Sequence, residues 1–292
     1  KWKAKQTDLL FILLETISEC NLTCPMCIHS IGYEKAPRMR DALFEEVLKN
    51  IGDMKIPSVC MNMTNEPLLD MKIFERISKV SDLPDVVDIH MNTNAVLLSE
   101  DRAKKLIDSG LTRLLIGFDA FSKKTFEETR TGASYDEVKS NILNFISIKR
   151  SLGSVFPIIR LSFVKTSIND HEIPQWIEFW LDKVDYLSVQ EFVSPVLDNS
   201  RNYLLSDYNT RPKDIKDINC RQPFERVTIR GDGAVLACCS QQSPKMSVGN
   251  IMTESLSAIW KNEKMEALRK SFLNGTWTKH PICSPCLKLT HG

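Results

Sequence analysis

The chain has 292 residues, 42% of them hydrophobic and 26% charged, with a formal net charge of +1. That length suits one large α/β domain, or a large domain with a small one, and so balanced a charge offers no footprint for a nucleic-acid or membrane partner. The longest apolar run, residues 9–14, is too short to cross a bilayer.

Nine cysteines without a visible export signal point to a cytoplasmic, reducing compartment, where clustered thiols hold metal rather than one another. In chain order, apolar β-branched runs fall at 9–17, 58–63, 86–91, 113–118, 158–164 and 186–192. Amphipathic stretches of helical period follow them at 41–51, 71–80, 99–109, 122–129, 135–152 and 171–184. Near-continuous apolar strands alternating with helices predict a parallel sheet covered by helices. Closed partly into a barrel, such a repeat gathers its chemistry at the carboxyl ends of the strands.

Beyond 193 the pattern lapses into polar residues and turn formers, a connector or substrate-facing loop. "RVTIRGDGAVLACCS" then predicts a hairpin turning on Gly231-Asp232-Gly233. A helix is expected over 255–272 with Thr253 as its cap, and "CSPC" lies at 283–286. The expected fold class is α/β: a partial (β/α)6 TIM-like barrel over 1–193, a connector over 194–219, and a small hairpin-plus-helix domain over 220–292.

The densest chemistry is "ECNLTCPMCIHS", residues 19–30, which spaces Cys20, Cys24 and Cys27 as C-x3-C-x2-C on the loop leaving the first strand. Iron–sulfur cubes take one thiolate per iron, so three thiolates leave one iron open to another ligand. A structural zinc closed by His29 or a distant cysteine would use the same residues. At the end of the first strand of a βα repeat, however, this spacing resembles the radical S-adenosylmethionine superfamily. The resemblance implies a [4Fe–4S] cluster whose open iron is chelated by S-adenosylmethionine, with Met26 packing against that cofactor where the family usually has an aromatic residue.

Later strand ends extend the resemblance. "MTNEP" is similar to the family's Gly-Gly-Glu-Pro element, with Thr64 and Asn65 in place of the glycines and Glu66-Pro67 in register. "NTNA" keeps Thr93 and Asn94 of the Thr-Asn-Gly element, with Ala95 for glycine. "IGFDAFSKKTFEETRTGASYDEV" supplies Asp119 and Arg130, with Gly117 where serine is common. The resemblance implies that Asn65, Glu66, Pro67, Thr93, Asn94, Asp119 and Arg130 contact the cofactor, and a guanidinium fork suits its carboxylate. Taken singly, Arg130 also fits a surface ion pair with Glu127, and Asp119 a strand-end cap.

The remaining cysteines gather in "CRQPFERVTIRGDGAVLACCSQQ" and "HPICSPC". With Gly249-Asn250-Ile251, Trp260 and Arg269, these resemble the SPASM/twitch extension of the same superfamily. That implies a second, auxiliary [4Fe–4S] cluster on Cys220, Cys238, Cys283 and Cys286; a zinc knuckle is the competing reading. Cys60, inside the second strand, reads as a small buried hydrophobe. Cys239 is either packing or a hydrogen-atom donor.

By this resemblance the protein is an enzyme that cleaves S-adenosylmethionine to a 5′-deoxyadenosyl radical and removes a substrate hydrogen atom. The expected outcome is dehydrogenation or epimerisation of a sugar, aminocyclitol or related small molecule, as in inosamine dehydrogenase-type enzymes, with a flavodoxin or ferredoxin as electron donor. Alcohol oxidation needs a base, and the sixth strand ends in "SVQEF", offering Gln190 and Glu191; Arg160 is a further polar group within the barrel. Strand alternation sends one of Gln190 and Glu191 outward. Peptide maturases of the family carry an extra N-terminal recognition domain and two auxiliary clusters, so the short segment ahead of the first strand and ligands for one cluster favour a small substrate. A zinc-stabilised binding module is the non-enzymatic alternative.

Overall fold

Strand alternation organises the molecule. In β1 (Phe11–Glu15), Ile12 and Leu14 are completely buried in the main core, while Phe11, Leu13 and Glu15 point to the opposite face. A computed structural model describes residues 8–195, Leu204 and 220–291; most of the predicted connector lies outside the described residues.

Five further parallel strands follow β1, namely β2 (Ser58–Cys60), β3 (Asp88–Thr93), β4 (Arg113–Gly117), β5 (Ile158–Lys165) and β6 (Tyr186–Glu191). Covering helices lie between them: α1 (Asp41–Asp53), α2 (Ile73–Ser81), α3 (Glu100–Asp108), α4 (Lys123–Thr129), α5 (Tyr135–Ser151) and α6 (Ile173–Trp180). Their entry points were written locally. Ser99, Ser122 and Ser134 each accept a hydrogen bond from a backbone N–H of the first turn of α3, α4 and α5. No helix among the described residues is long and apolar enough to cross a membrane.

The C-terminal region extends this sheet. β7 (Arg226–Arg230) pairs in parallel with β1, from Phe11↔Arg226 to Glu15↔Arg230. β8 (Ala234–Leu236) and β9 (Ser247–Asn250) then add antiparallel to it, giving the order β6-β5-β4-β3-β2-β1-β7-β8-β9. The hairpin turns as expected, on Gly233 with φ +82°. Four helices complete the region: α7 (Gln222–Glu225), α8 (Leu256–Trp260), α9 (Glu263–Leu273) and α10 (Cys283–His291).

Four expectations are corrected. The hairpin is a three-stranded unit, because β9 closes on β8. The helix expected over 255–272 is two, because the Asn262 side chain caps α9 through Met265 N and interrupts the first helix. Ser255 rather than Thr253 caps α8, and Thr253 Oγ1 instead donates to Asn250 O at 3.0 Å. The third strand starts at Asp88 rather than 86, since Val87 N and Asp88 N both bond the Pro57 carbonyl and bend the chain there.

On the face opposite the helices, the amino ends of the strands carry a polar cluster. Arg113 grips Asp88 through Nε at 2.7 Å and Nη2 at 2.6 Å, and Ser58 Oγ donates to the same carboxylate at 2.6 Å. His90 Nδ1 lies 3.3 Å from Asp88, and its ring stacks on Phe11. Arg113 Nη2 also donates to that Nδ1 at 3.2 Å when the ring is neutral. Burial opposes ionisation of Asp88, yet hydrogen bonds from His90, Arg113 and Ser58 hold it well below the usual carboxylate range. Burial likewise disfavours the His90 cation, but Asp88 and the Cys60 thiol raise its pKa to about 9.

A histidine whose folded pKa exceeds its unfolded value stabilises fully below the unfolded pKa and loses that contribution as pH rises through the folded one. Wild-type stability should therefore fall between about pH 6.5 and pH 9 relative to His90→Gln, by about 3 kcal/mol at most. Paired thermal-unfolding scans across that range, recorded anaerobically, measure the difference.

Candidate functional site

The carboxyl ends of the strands open into a cavity of about 500 Å³. The loop after β1 brings Cys20, Cys24, Met26 and Cys27 to its wall. Asn65 and Glu66 come from the end of β2, Thr93 and Asn94 from β3, Asp119 and Arg130 from the β4 connection, and Gln190 and Glu191 from β6. Pro67 does not line it; this residue opens the short turn Pro67–Leu69, which Glu66 caps. Among the sequence candidates for catalysis, Arg160 and Cys239 also stand outside the lining.

Glu66 joins two strand ends. Its Oε1 accepts from Leu68 N at 3.1 Å and Thr93 Oγ1 at 2.8 Å, and its Oε2 accepts from Asn94 N at 2.8 Å. Burial raises its pKa despite these donors. Beside it, Asn65 Oδ1 accepts from Met63 N at 3.1 Å, while its buried Nδ2 has no partner among the described residues. A buried donor left unmatched against a cavity wall fits a site that receives an acceptor-bearing ligand.

Ala95 adopts φ +58°, the left-handed conformation that the glycine of the Thr-Asn-Gly element supplies more easily. An L-residue there costs about 1–2 kcal/mol. Asn141 Nδ2 bonds the carbonyls of Ala95 and Val96 at 3.0 and 3.1 Å and holds the turn in place.

Arg130 pairs with Asp119, not Glu127, whose Oε1 instead accepts from Tyr135 N at 3.3 Å. Asp119 is fully buried, and its Oδ1 accepts from Val164 N at 2.7 Å, so the pair locks the ends of β4 and β5. Gly117 leaves room for this arrangement, because a Cβ there would lie 2.3 Å from Arg130 Nη2 and the guanidinium would have to shift. Burial raises the Cys24 thiol pKa, and the neighbouring Arg130 charge opposes the rise. Cys27 is raised by burial, and Cys20 is pushed up to about 11 by the same cause. Thiols in this condition become thiolates readily only when a metal takes the proton's place. His29 faces elsewhere, its Nε2 2.9 Å from the Thr64 carbonyl.

A second group forms against α9 and α10. Cys220, Cys238, Cys283 and Cys286 line one small cavity with Leu268 and Phe272. Burial again raises all four, Cys220 to about 11 and Cys283 to about 12, and neighbouring thiols raise each of them further. Arg269 braces the cavity by stacking on Trp260 at 4.0 Å and donating to the carbonyls of Trp260 and Pro223 at 2.8 and 2.9 Å. A zinc needs its donors within about 2.3 Å of one point, and among the described residues no three His, Cys, Asp or Glu side chains close on a single ion in that way. Cys239 does not line this cavity; its thiol is buried near Gln222, Arg226 and Cys60.

The sequence model of the Radical SAM superfamily matches residues 14–179. The chain belongs to the radical SAM superfamily. The model of the SPASM iron–sulfur cluster-binding domain matches residues 220–287. The enzyme's cofactors are accordingly S-adenosylmethionine, a [4Fe–4S] cluster and an auxiliary iron–sulfur cluster. A GTP 3′,8-cyclase of Acidothermus cellulolyticus is 26% identical over 233 residues, covering 76% of this chain and 61% of that protein. The chain thus spans less than two thirds of the length of that relative. BtrN, solved in complex with AdoMet and 2-DOIA, shares the fold with a TM-score of 0.62 at 19% identity, covering 96% of this chain and 93% of that one. Streptococcus suis SuiB, solved bound to precursor peptide SuiA, shares it with a TM-score of 0.73 at 16% identity, covering 98% and 71%.

Sequence reasoning missed several residues in and beside this cavity. Glu15 sits in an apolar strand yet is wholly buried, and accepts from Ser18 Oγ at 2.9 Å, Tyr33 OH at 3.0 Å and Arg230 Nε at 3.2 Å. A lone carboxylate in a buried strand was the available signal. Asn62, Asn92, Ser162 and Gln241 line the large cavity, and Gln241 reaches it from the C-terminal region with a buried Oε1 that has no partner among the described residues. Nothing in their local pattern marks them.

Arg130→Met should leave Asp119 buried without its counter-charge and cost about 3–5 kcal/mol of stability. Arg130→Lys should recover part of the loss. Thermal midpoints of the two variants against wild type decide the point.

Proposed function

We propose that this radical SAM enzyme dehydrogenates a polar small molecule, a sugar, aminocyclitol or related compound, held in the large cavity. In this reading Cys20, Cys24 and Cys27 hold the first cluster, and Asn65, Glu66, Thr93, Asn94, Asp119 and Arg130 form the S-adenosylmethionine site with Met26 and Pro67. Cys220, Cys238, Cys283 and Cys286 hold the auxiliary cluster. The barrel extends through 193, a connector spans 194–219, and the auxiliary domain fills 220–292. When bound, the two cofactors of the barrel supply a 5′-deoxyadenosyl radical able to take hydrogen from an unactivated C–H bond.

The observation that carries this reading is the convergence on one cavity wall of three thiols, the unmatched Asn65 Nδ2 and the locked Asp119–Arg130 pair. The chain's own residues then bind, orient and move the proton. Asn65 Nδ2 offers its free donor to a carboxylate or ribose oxygen of the cofactor, and Glu66 fixes the two strand ends that form the rest of that wall. Glu191 is the base for a substrate hydroxyl, taking the proton at Oε2, since Oε1 pairs with Lys165 Nζ at 3.2 Å. Gln190, which also lines the cavity, offers a second polar group to the substrate. Dehydrogenation is preferred to epimerisation because Cys239 stands outside the cavity lining. The reducing electron comes from a flavodoxin or ferredoxin in the cytoplasm.

GTP, named for the curated relatives, belongs among the first compounds to test. A peptide substrate is the second reading, favoured by the likeness to peptide-bound SuiB.

Anaerobically reconstituted wild-type protein given S-adenosylmethionine and dithionite should release 5′-deoxyadenosine. Cys24→Ala should release none while keeping about four of about eight irons. Wild-type protein that binds iron and sulfide yet releases no 5′-deoxyadenosine would overturn the reading. In Cys283→Ala, some cofactor cleavage should persist while substrate turnover stops; full turnover would remove the auxiliary cluster from the reaction.

A further inference from the structure

A second hollow, of about 370 Å³, opens below the large cavity and shares Leu115 with it. It lies toward the amino ends of β4, β5 and β6, where Arg113, Arg160, Tyr186 and Ser188 supply its polar groups. Every one of those side chains can donate a hydrogen bond, and the hollow contains no carboxylate of its own.

The two arginines differ in kind. Arg113 is already neutralised by its two-point contact with Asp88. Arg160 donates through Nε to Ser188 Oγ at 3.0 Å and pairs with no carboxylate among the described residues. Its semi-buried contemporaries are compensated. Arg76 pairs with Asp70, Arg230 with Glu15 and Arg130 with Asp119, while Arg269 is satisfied by two carbonyls and the Trp260 ring. A partly buried guanidinium without a counter-charge is costly, and a planar fork is suited to two-point contact with an oxyanion.

Position joins this cation to the substrate cavity. Arg160 faces inward in register with Leu115 on β4 and Tyr186 on β6. Ser162, which lines the large cavity, is two residues further along the same strand, about 6.6 Å at the usual rise. A molecule reacting beside the cysteine loop can therefore extend down past Leu115 to this fork.

We infer that the lower hollow is an anion subsite in which Arg160, with Ser188 and Tyr186, binds a phosphate or carboxylate group of the substrate. The inference rests on the reading of the upper cavity as a small-molecule site and narrows that substrate to an anionic one.

Calorimetric titration of the anaerobic holoprotein with S-adenosylmethionine present, at low salt and without reductant, tests it. Pyrophosphate is the probe in one arm and succinate in the other. Saturable binding of either is expected, and the tighter arm tells phosphate from carboxylate. Arg160→Gln should weaken that binding at least tenfold, Arg160→Lys by less, and Ser188→Ala about threefold. No saturation with either probe, or unchanged affinity in Arg160→Gln, overturns the inference. If Arg160→Gln does not fold, unchanged affinity in both Arg160→Lys and Ser188→Ala overturns it instead, and weakening in both upholds it. Because no radical is generated, failure here is separate from failure of the proposed reaction, which 5′-deoxyadenosine release by wild type judges.

Discussion

Glu15 is the point at which four separate segments of the chain are tied together. Its carboxylate receives Ser18 from the start of the cysteine loop, Tyr33 from beyond that loop, Thr64 from the end of β2 and Arg230 from β7. Arg230 is 215 positions away in sequence and only 3% exposed on its side chain. Buried ion pairs contribute little net stability against a well-packed apolar alternative, while losing one partner is expensive. The value of this one is positional, since it fixes the register of β7 against β1 and the path of the cysteine loop in a single contact.

From that register follows the placement of the second cysteine group. Because β7 lies parallel to β1 and β8 returns antiparallel to it, the chain leaving β8 travels back toward the amino ends of the barrel strands. Cys239 is thereby brought near Cys60 and Arg226, and Gln241, in the segment that follows, lines the large cavity. The C-terminal region is thus part of the wall around the large cavity rather than an appendage. Gly249 serves the same closure: a Cβ there would lie 2.8 Å from Ile259, so glycine lets β9 pack closely on α8.

Charge is distributed along the barrel face in layers. At the carboxyl ends, Arg130 is held against Asp119 beside the thiols, where its field favours thiolate. At the amino ends, Asp88 gathers Arg113 and His90 into a compensated cluster. Arg160 lies between these levels in a half-buried position with a single neutral partner among the described residues. The contrast between cations paired with carboxylates above and below and one in the middle that has none among the described residues follows from the register of β3, β4 and β5 and is invisible in any one strand.

The six strand–helix alternations and the C-x3-C-x2-C spacing were legible in the sequence because each depends on residues within a few positions of one another, whereas the second cysteine group was reached through the family resemblance. Periodicity, capping and C-x2-C spacing are local, and local geometry repeats wherever the same pattern occurs. Even the departures from the family pattern, Ala95 and Gly117, were visible, although only the structure shows that one keeps a left-handed turn and the other makes room for Arg130. The split of the last predicted helix at Asn262 was missed because a capping side chain and an ordinary polar surface residue look alike in a periodic pattern. Which carboxylate Arg130 chooses, and which residues of the C-terminal region reach the large cavity, were decided by tertiary structure alone. Those outcomes depend on register and through-space distance between segments up to 215 residues apart, and no short-range pattern encodes such distances.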